Sequence, residues 1–233
     1  MAGAKSQPVR IALLGCGTVG TGVVKLLRRH AGNIERRLGA PLELVGIADR
    51  SLEPDRSIGI TPALITRDSA ALVARPEVDI VVELFGGIEP ARKLMLQALA
   101  AGKDVVTGNK ALLAEHGEEL FAAANKTGMA IGFEASVGGG VPIIRTLREA
   151  LAGDRQRAVY GIVNGTCNSI LTTMTEQGAE FATALKEAQA TGLGLSTVWR
   201  AAVTAAIMRS EPMAMIRSAW FSGMGALPSS PFE

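Results

Sequence analysis

The chain has 233 residues, of which 48% are hydrophobic, 20% charged and 4% aromatic, with a formal net charge of +2. That balance argues for a packed core and against general disorder, and the scattered Lys and Arg form no basic stripe with interleaved aromatics of the kind nucleic acid requires. No apolar run approaches a membrane span, MAGAKSQPVR carries no signal-peptide segment, and Cys16 and Cys167 lack metal-ligand spacing, so a soluble, cytoplasmic chain with reduced thiols is expected.

The first element is an apolar strand, Ile11 to Leu14, that runs into Gly15, Gly17 and Gly20; Val23, Val24, Leu26 and Leu27 then recur at helical spacing. Strand, glycine turn and helix together form the phosphate-binding opening of a dinucleotide fold. Gly15 turns the chain off the strand, Gly17 lets backbone approach a pyrophosphate, and Gly20 lets helix and strand pack closely. The free N–H groups and positive end of that helix then face the phosphates. Arg28, Arg29, His30, Arg36 and Arg37 read as solvated helix surface.

Asn33 to Pro41 is polar and ends in a turn, and Leu42 to Ala48 is a second strand closing on Asp49-Arg50-Ser51. An acid at this strand end binds an adenosine ribose 2′-OH, whereas an arginine pairs with a 2′-phosphate. With Asp49 and Arg50 side by side, NAD and NADP both stand, and Arg50 tilts the reading toward NADP.

Glu53 to Arg67 reads as a loop with a short strand, and Asp68-Ser69 as the cap of a helix ending at Ala74. Val78 to Phe85 is the next strand, followed by Gly86-Gly87, where backbone passes close to a cofactor or simply turns. Pro90 opens a helix through Ala100 that Gly102 ends. Asp104 to Thr107 is a strand with Lys110 at its carboxyl end, the end at which open α/β sheets hold ligands.

Met129 to Phe133 is a further strand, leading to Glu134 and the triple glycine Gly138 to Gly140. A carboxylate beside such a bend can hold a hard cation through folded-in carbonyls, or the bend can simply join two domains. Helices follow over Val141 to Leu151, Ser169 to Gln177 and Glu180 to Ala190, with a strand over Arg157 to Ile162. The alternating βαβ pattern thus gives way near Val137. The expectation is an α/β chain: a Rossmann-type doubly wound parallel sheet over 1–137, then an incomplete α+β substrate and dimerisation domain over 138–233.

Several segments in order, GCGTVGTG from Gly15, VVELFGG from Val81, VVTGNKALLAEHG from Val105, FEASVGGGVPIIRTLREAL from Phe133 and GIVNGTCNSIL from Gly161, resemble the homoserine dehydrogenase family. EAQATG from Glu187 adds a less specific match. The resemblance implies an NAD(P)-dependent oxidoreductase that interconverts L-homoserine and L-aspartate 4-semialdehyde, on the route to threonine and methionine. Thr18, Val19, Arg50 and Lys110 match nucleotide-contacting positions of that family and join Gly15, Gly17, Gly20, Asp49, Gly86, Gly87 and Gly192 as the expected cofactor contacts, with Lys110 also the expected catalytic lysine close to the substrate. Glu134, Val137, Gly139 and Val141 match a monovalent-cation (Na+) site built mostly from backbone carbonyls. The family pairs through its second domain, which implies a homodimer.

After Gly192 the sequence departs from that pattern. The family continues with a glycine-aromatic-x-glutamate-x-aspartate run, then an aspartate and a lysine that handle the substrate. Here Leu195 stands at the expected carboxylate, and Leu193 to Ala206 contains no Asp, Glu or Lys. The expectation is a nucleotide-binding chain with impaired turnover and an atypical tail from about residue 193; a non-catalytic nucleotide-binding remnant or partner-binding module is the alternative.

Overall fold

A computed structural model describes residues 7–156 and 165–190. The expected strand over Arg157 to Ile162, Gly192 and the tail from residue 193 lie outside them. The chain divides into two compact units, Met1–Leu112 with His116–Phe133, and Leu113–Glu115 with Glu134–Glu233.

The first unit is built on a six-stranded sheet in the order β3-β2-β1-β4-β5-β6: β1 Val9–Leu14, β2 Leu42–Ala48, β3 Ile65–Thr66, β4 Ile80–Glu83, β5 Asp104–Thr107 and β6 Ile131–Gly132. Every pairing is parallel. Parallel neighbours need crossovers, supplied here by α1 Thr18–Arg29 and α2 Ala31–Leu38, then by α3 Ser69–Ala74, α4 Glu89–Ala100 and α5 Lys110–Thr127. From β1 the chain moves outward to β2 and β3, then returns past β1 to β4. Right-handed crossovers in opposite directions place α1 on one sheet face and α3, α4 and α5 on the other, which makes the sheet doubly wound.

A sheet covered on both faces calls for continuous apolar strands. Ile11, Ala12, Leu13 and Leu14 are all buried, and Ile11, Leu13, Val24, Ile47, Ile60 and Val82 form the core beneath α1. The β1–β2 register slips between Ile11 and Ala12, leaving Val45 as an extra residue whose carbonyl accepts from Arg75 at 3.3 Å. Asp68 caps α3 as its position suggests, accepting from the Ala71 N–H at 2.8 Å.

Three elements differ from expectation. Residues of the polar segment after Asn33 form most of α2, which has no fully buried residue and only Ile34 and Leu38 as an apolar pair at helical spacing. Strand β4 stops at Glu83, because Gly86 and Gly87 turn the chain with φ of +71° and +78°. Lys110, expected at the carboxyl end of a strand, is the first residue of α5, whose backbone breaks from helical geometry at His116.

In the second unit, Glu134–Ser136 is a 3-10 turn, and the helix expected from Val141 begins as α6 Ile143–Arg145 and continues as a π-helical turn over Thr146–Ala150. Helices α7 Gly165–Gln177 and α8 Phe181–Ala190 form a hairpin around Ile170, Ala184 and Ala188.

Lys103, between α4 and β5, is buried, and its ammonium donates to the Arg75 and Val78 carbonyls, the latter at 3.0 Å. It therefore ties the end of α3 to the approach to β4. Lys103→Ala is expected to cost about 1–3 kcal/mol, the usual penalty for orphaned buried polar groups. A urea titration checks this: the midpoint falls at unchanged slope, while Lys126→Ala at an exposed position stays within about 0.5 kcal/mol of the parent.

Candidate functional site

Reversal of strand order at β1 opens a crevice between the carboxyl ends of β1 and β4, the place where such sheets take ligands. Two turns meet there. Gly15 leaves β1 with φ +91°, donates to the Ala48 carbonyl at 2.9 Å, and lies so close to Phe85 that a Cβ would sit 2.7 Å from the Phe85 nitrogen. Gly20 lies directly under the same turn, where a Cβ would come 2.3 Å from the Gly15 carbonyl oxygen.

Gly17 differs from both. A Cβ there would meet nothing within 4 Å, so its lack of a side chain leaves open space at the start of α1. No side chain caps that helix and no acid stands in its first turn. Thr18 and Val19 are exposed, and with the half-exposed Phe85 they line the lip of the turn. An open backbone surface at a positive helix end is what a pyrophosphate needs, so these residues fit a dinucleotide.

Asp49, just after β2, accepts from the Cys16 N–H at 2.8 Å and from the Ser51 N–H at 2.9 Å. Burial pushes its pKa up, but the hydrogen bonds from Cys16, Ser51 and Leu52 outweigh this and bring it below the usual carboxylate range. The carboxylate thus pins the glycine turn to the end of β2. Arg50 beside it is exposed and makes no hydrogen bond or ion pair among the described residues, which leaves its guanidinium available at the rim. Cys16 is buried, which with the nearby Asp49 charge raises its thiol pKa despite the Thr21 hydroxyl, so it packs as an inert side chain.

Across the crevice lies a buried polar cluster that the sequence reading missed. Glu83, the last residue of β4, is fully buried. It accepts from the Thr107 hydroxyl at 2.6 Å and from the Gly86 N–H at 3.1 Å. Thr107 in turn accepts from the Asn109 N–H at 2.9 Å. The Asn109 side chain donates to the Gly87 carbonyl at 2.6 Å and caps α5 by accepting from the Leu112 N–H at 3.1 Å. Burial pushes the Glu83 pKa up, and hydrogen bonds from Thr107, Gly86, Asn109 and Phe85 hold it back. The signal was present as an acid inside an apolar strand, two residues short of a glycine pair. Lys110 follows Asn109 and is exposed at the start of α5.

In the second unit the Glu134 carboxylate accepts from the Ile144 and Arg145 N–H groups at 3.0 and 2.9 Å, starting α6. Val137 is buried and Gly139 and Val141 are exposed; the Val141 carbonyl accepts from Ile143 at 2.8 Å. One carboxylate with several carbonyls is a donor set for a hard cation of low charge. Among the described residues no group of three or more His, Cys, Asp or Glu is placed to hold a metal ion.

Residues 15–134, just over half of the chain, match the family described as homoserine dehydrogenase, NAD binding domain, and residues 142–194 match homoserine dehydrogenase. The chain belongs to the homoserine dehydrogenase family. It is 50% identical over 186 residues to the homoserine dehydrogenase of Neisseria gonorrhoeae, covering 80% of this chain and 42% of that one. The crystal structure of a homoserine dehydrogenase from Thiobacillus denitrificans superposes with TM-score 0.78 at 43% identity, over 90% of this chain and 50% of the other. A hyperthermophilic archaeal homoserine dehydrogenase in complex with NADPH superposes with TM-score 0.68 at 26% identity, over 86% of this chain and 68% of its own. The chain spans about half the length of the curated relatives it matches.

Within this chain of the homoserine dehydrogenase family, Gly17, Thr18 and Val19 are exposed at the crevice over the buried Gly15 and Gly20, and Asp49 is bonded to the turn through Cys16. Gly86, Gly87 and Lys110 gather at the β4–β5 side around Asn109. No helix of the described residues is long and apolar enough to cross a membrane.

Since Asp49 has a depressed pKa in the folded state, its contribution is complete above the unfolded value of about 3.9 and fades as pH falls through the lower folded one. Asp49→Asn is therefore expected to lower Tm near neutral pH. Thermal melts from pH 7 to pH 3 are expected to show the two proteins converging toward the acid end.

Proposed function

We propose that the first unit binds NADP(H) across the β1–β4 crevice and that the chain represents the nucleotide-binding half, with part of the substrate domain, of an enzyme interconverting L-homoserine and L-aspartate 4-semialdehyde. The observation that carries this is the open, uncapped, acid-free start of α1 at Gly17, held against the end of β4 by the contact between Gly15 and Phe85. The NADPH complex of the archaeal relative supports the choice of nucleotide. When bound, the nicotinamide supplies or accepts the hydride.

In this reading the N–H groups at the start of α1 hold the pyrophosphate, and Gly17 lets it approach the backbone. Arg50, free at the rim, pairs with the 2′-phosphate and favours NADP over NAD. Asp49 keeps the turn and the rim in register, whether or not it also reaches a ribose hydroxyl. Gly86 and Gly87 border the nicotinamide side. Gly192 remains a proposed cofactor contact outside the described residues. Lys110 is the catalytic residue, an ammonium that stabilises charge on the substrate oxygen and handles its proton. Glu134, with the carbonyls of Val137, Gly139 and Val141, is the proposed Na+ site, and a second copy of the chain is the proposed partner. Residues from Leu193 to Ala206 offer no Asp, Glu or Lys to orient the substrate, so turnover by this chain alone is slow or absent.

Fluorescence titration of the purified chain with NADPH tests the binding half, and saturable binding is expected. Gly17→Asp places a carboxylate at an open N-cap position, which the fold tolerates, and is expected to weaken NADPH at least about tenfold at unchanged Tm. Arg50→Ala is expected to weaken NADPH about tenfold and leave NADH within about twofold. Equal losses for both nucleotides would overturn the role of Arg50, and the absence of saturable binding in folded protein would overturn the proposal itself. Full-rate oxidation of homoserine would overturn the impaired turnover alone.

A further inference from the structure

The buried cluster at the end of β4 links β4, β5 and the start of α5 through hydrogen bonds. The Asn109 N–H donates to the Thr107 oxygen, and the Thr107 hydroxyl donates to Glu83. The other Glu83 oxygen takes the Gly86 N–H. Both carboxylate oxygens are therefore acceptors, and no salt bridge among the described residues includes Glu83. A buried acid without a cation is costly to keep for stability alone, and hydrogen bonds to it are correspondingly strong.

What those bonds reach is informative. One arm fixes Gly86 at the head of a two-glycine bend whose positive φ angles would otherwise leave it many conformations. The other arm runs through Thr107 to Asn109, which holds the Gly87 carbonyl with one side-chain atom and caps α5 with the other. The next residue is Lys110. One carboxylate thus sets both the glycine bend and the position of the lysine, although nothing in the cluster is exposed enough to meet a ligand itself.

We infer that Glu83 is a positioning residue: through Thr107 and Asn109 its carboxylate holds the Gly86–Gly87 bend and the first turn of α5 in the arrangement that receives the nicotinamide end of the nucleotide. This rests on the proposed nucleotide site. Removing the charge or the relay hydroxyl frees the bend and the lysine together, without touching Gly17 or Arg50 on the other side of the crevice.

Three variants and two readouts test it. Glu83→Gln removes the charge and leaves one amide donor facing either the Gly86 N–H, where the bond is lost, or the Thr107 hydroxyl, where its direction must reverse. Thr107→Val keeps the shape and removes the relay, and Thr107→Ser keeps the hydroxyl. Glu83→Gln and Thr107→Val are expected to weaken NADPH roughly tenfold, the scale of one hydrogen bond to a charged group, while Thr107→Ser stays within about twofold of the parent. Native-state hydrogen exchange is expected to quicken at the Gly86, Asn109 and Leu112 amides, with the amides of Leu13 and Ile47 unchanged.

NADPH affinity unchanged in both Glu83→Gln and Thr107→Val overturns the inference, as does exchange that quickens equally in every strand. If Glu83→Gln fails to fold, the Val and Ser variants of Thr107 decide the matter. If the parent chain binds no NADPH, the nucleotide reading fails separately, and exchange confined to these three amides still supports the positioning role while its absence overturns it.

Discussion

Everything in the first unit depends on two chain turns being allowed to touch. Gly15 after β1 and Phe85 after β4 approach so closely that even one methyl group would collide with backbone. That approach is what brings a helix start and a strand end to the same crevice. Apolar burial along β1 supplies the force that holds the strands together, roughly 25 cal/mol for each Å² removed from water. Burial is non-directional, however, and would hold many arrangements equally well. The missing Cβ at Gly15 selects the one in which the two strand ends form a single surface.

Two carboxylates then fix that surface from opposite sides, and they titrate in opposite directions for the same physical reason. Asp49 sits near solvent, where several N–H bonds outweigh a modest desolvation cost and favour the ionised form. Glu83 accepts a similar set of bonds but is sealed from water, so desolvation prevails. Each holds one glycine-rich turn by a backbone N–H, Asp49 through Cys16 and Glu83 through Gly86. Glycine turns are the least self-determined segments of a chain. Anchoring them on charged acceptors compensates for the freedom that close backbone approach demands.

The sequence was most readable where function and packing use the same residues. The β1–α1 unit, β2, α4 and β5 declare themselves because apolar period and glycine punctuation agree there. Helix α2 was legible only through Arg36 and Arg37, read as solvated helix surface, because it has no fully buried residue and its neighbours read as a polar segment. The cluster of Glu83, Thr107 and Asn109 was hidden for a different reason: its members are far apart in sequence and meet only because β4 and β5 pair in the register Glu83 with Thr107. A pairing register is a tertiary fact. Only the oddity of an acid inside an apolar strand was visible beforehand.

Helix starts carry a further clue. A helix N-terminus prefers acidic side chains, and α4 obeys by placing Glu89 in its first turn. Helices α1 and α5, which begin at the crevice, have no acid there, and α5 begins with Lys110. Placing an ammonium at the positive end of a helix dipole opposes stability by a few tenths of a kcal/mol. Local rules broken without structural benefit tend to mark sites of function. Among the described α-helices only α4 carries an acid in its first turn, so what sets α5 apart is the lysine at its start, an ammonium placed where the negative charge can arrive with the ligand rather than belong to the chain. In that light Asp49 and Glu83 are turned inward, Asp49 toward the turn and Glu83 into the core, while the exposed Glu89 is paired with Arg92, so that these acids fix the frame without repelling an anion.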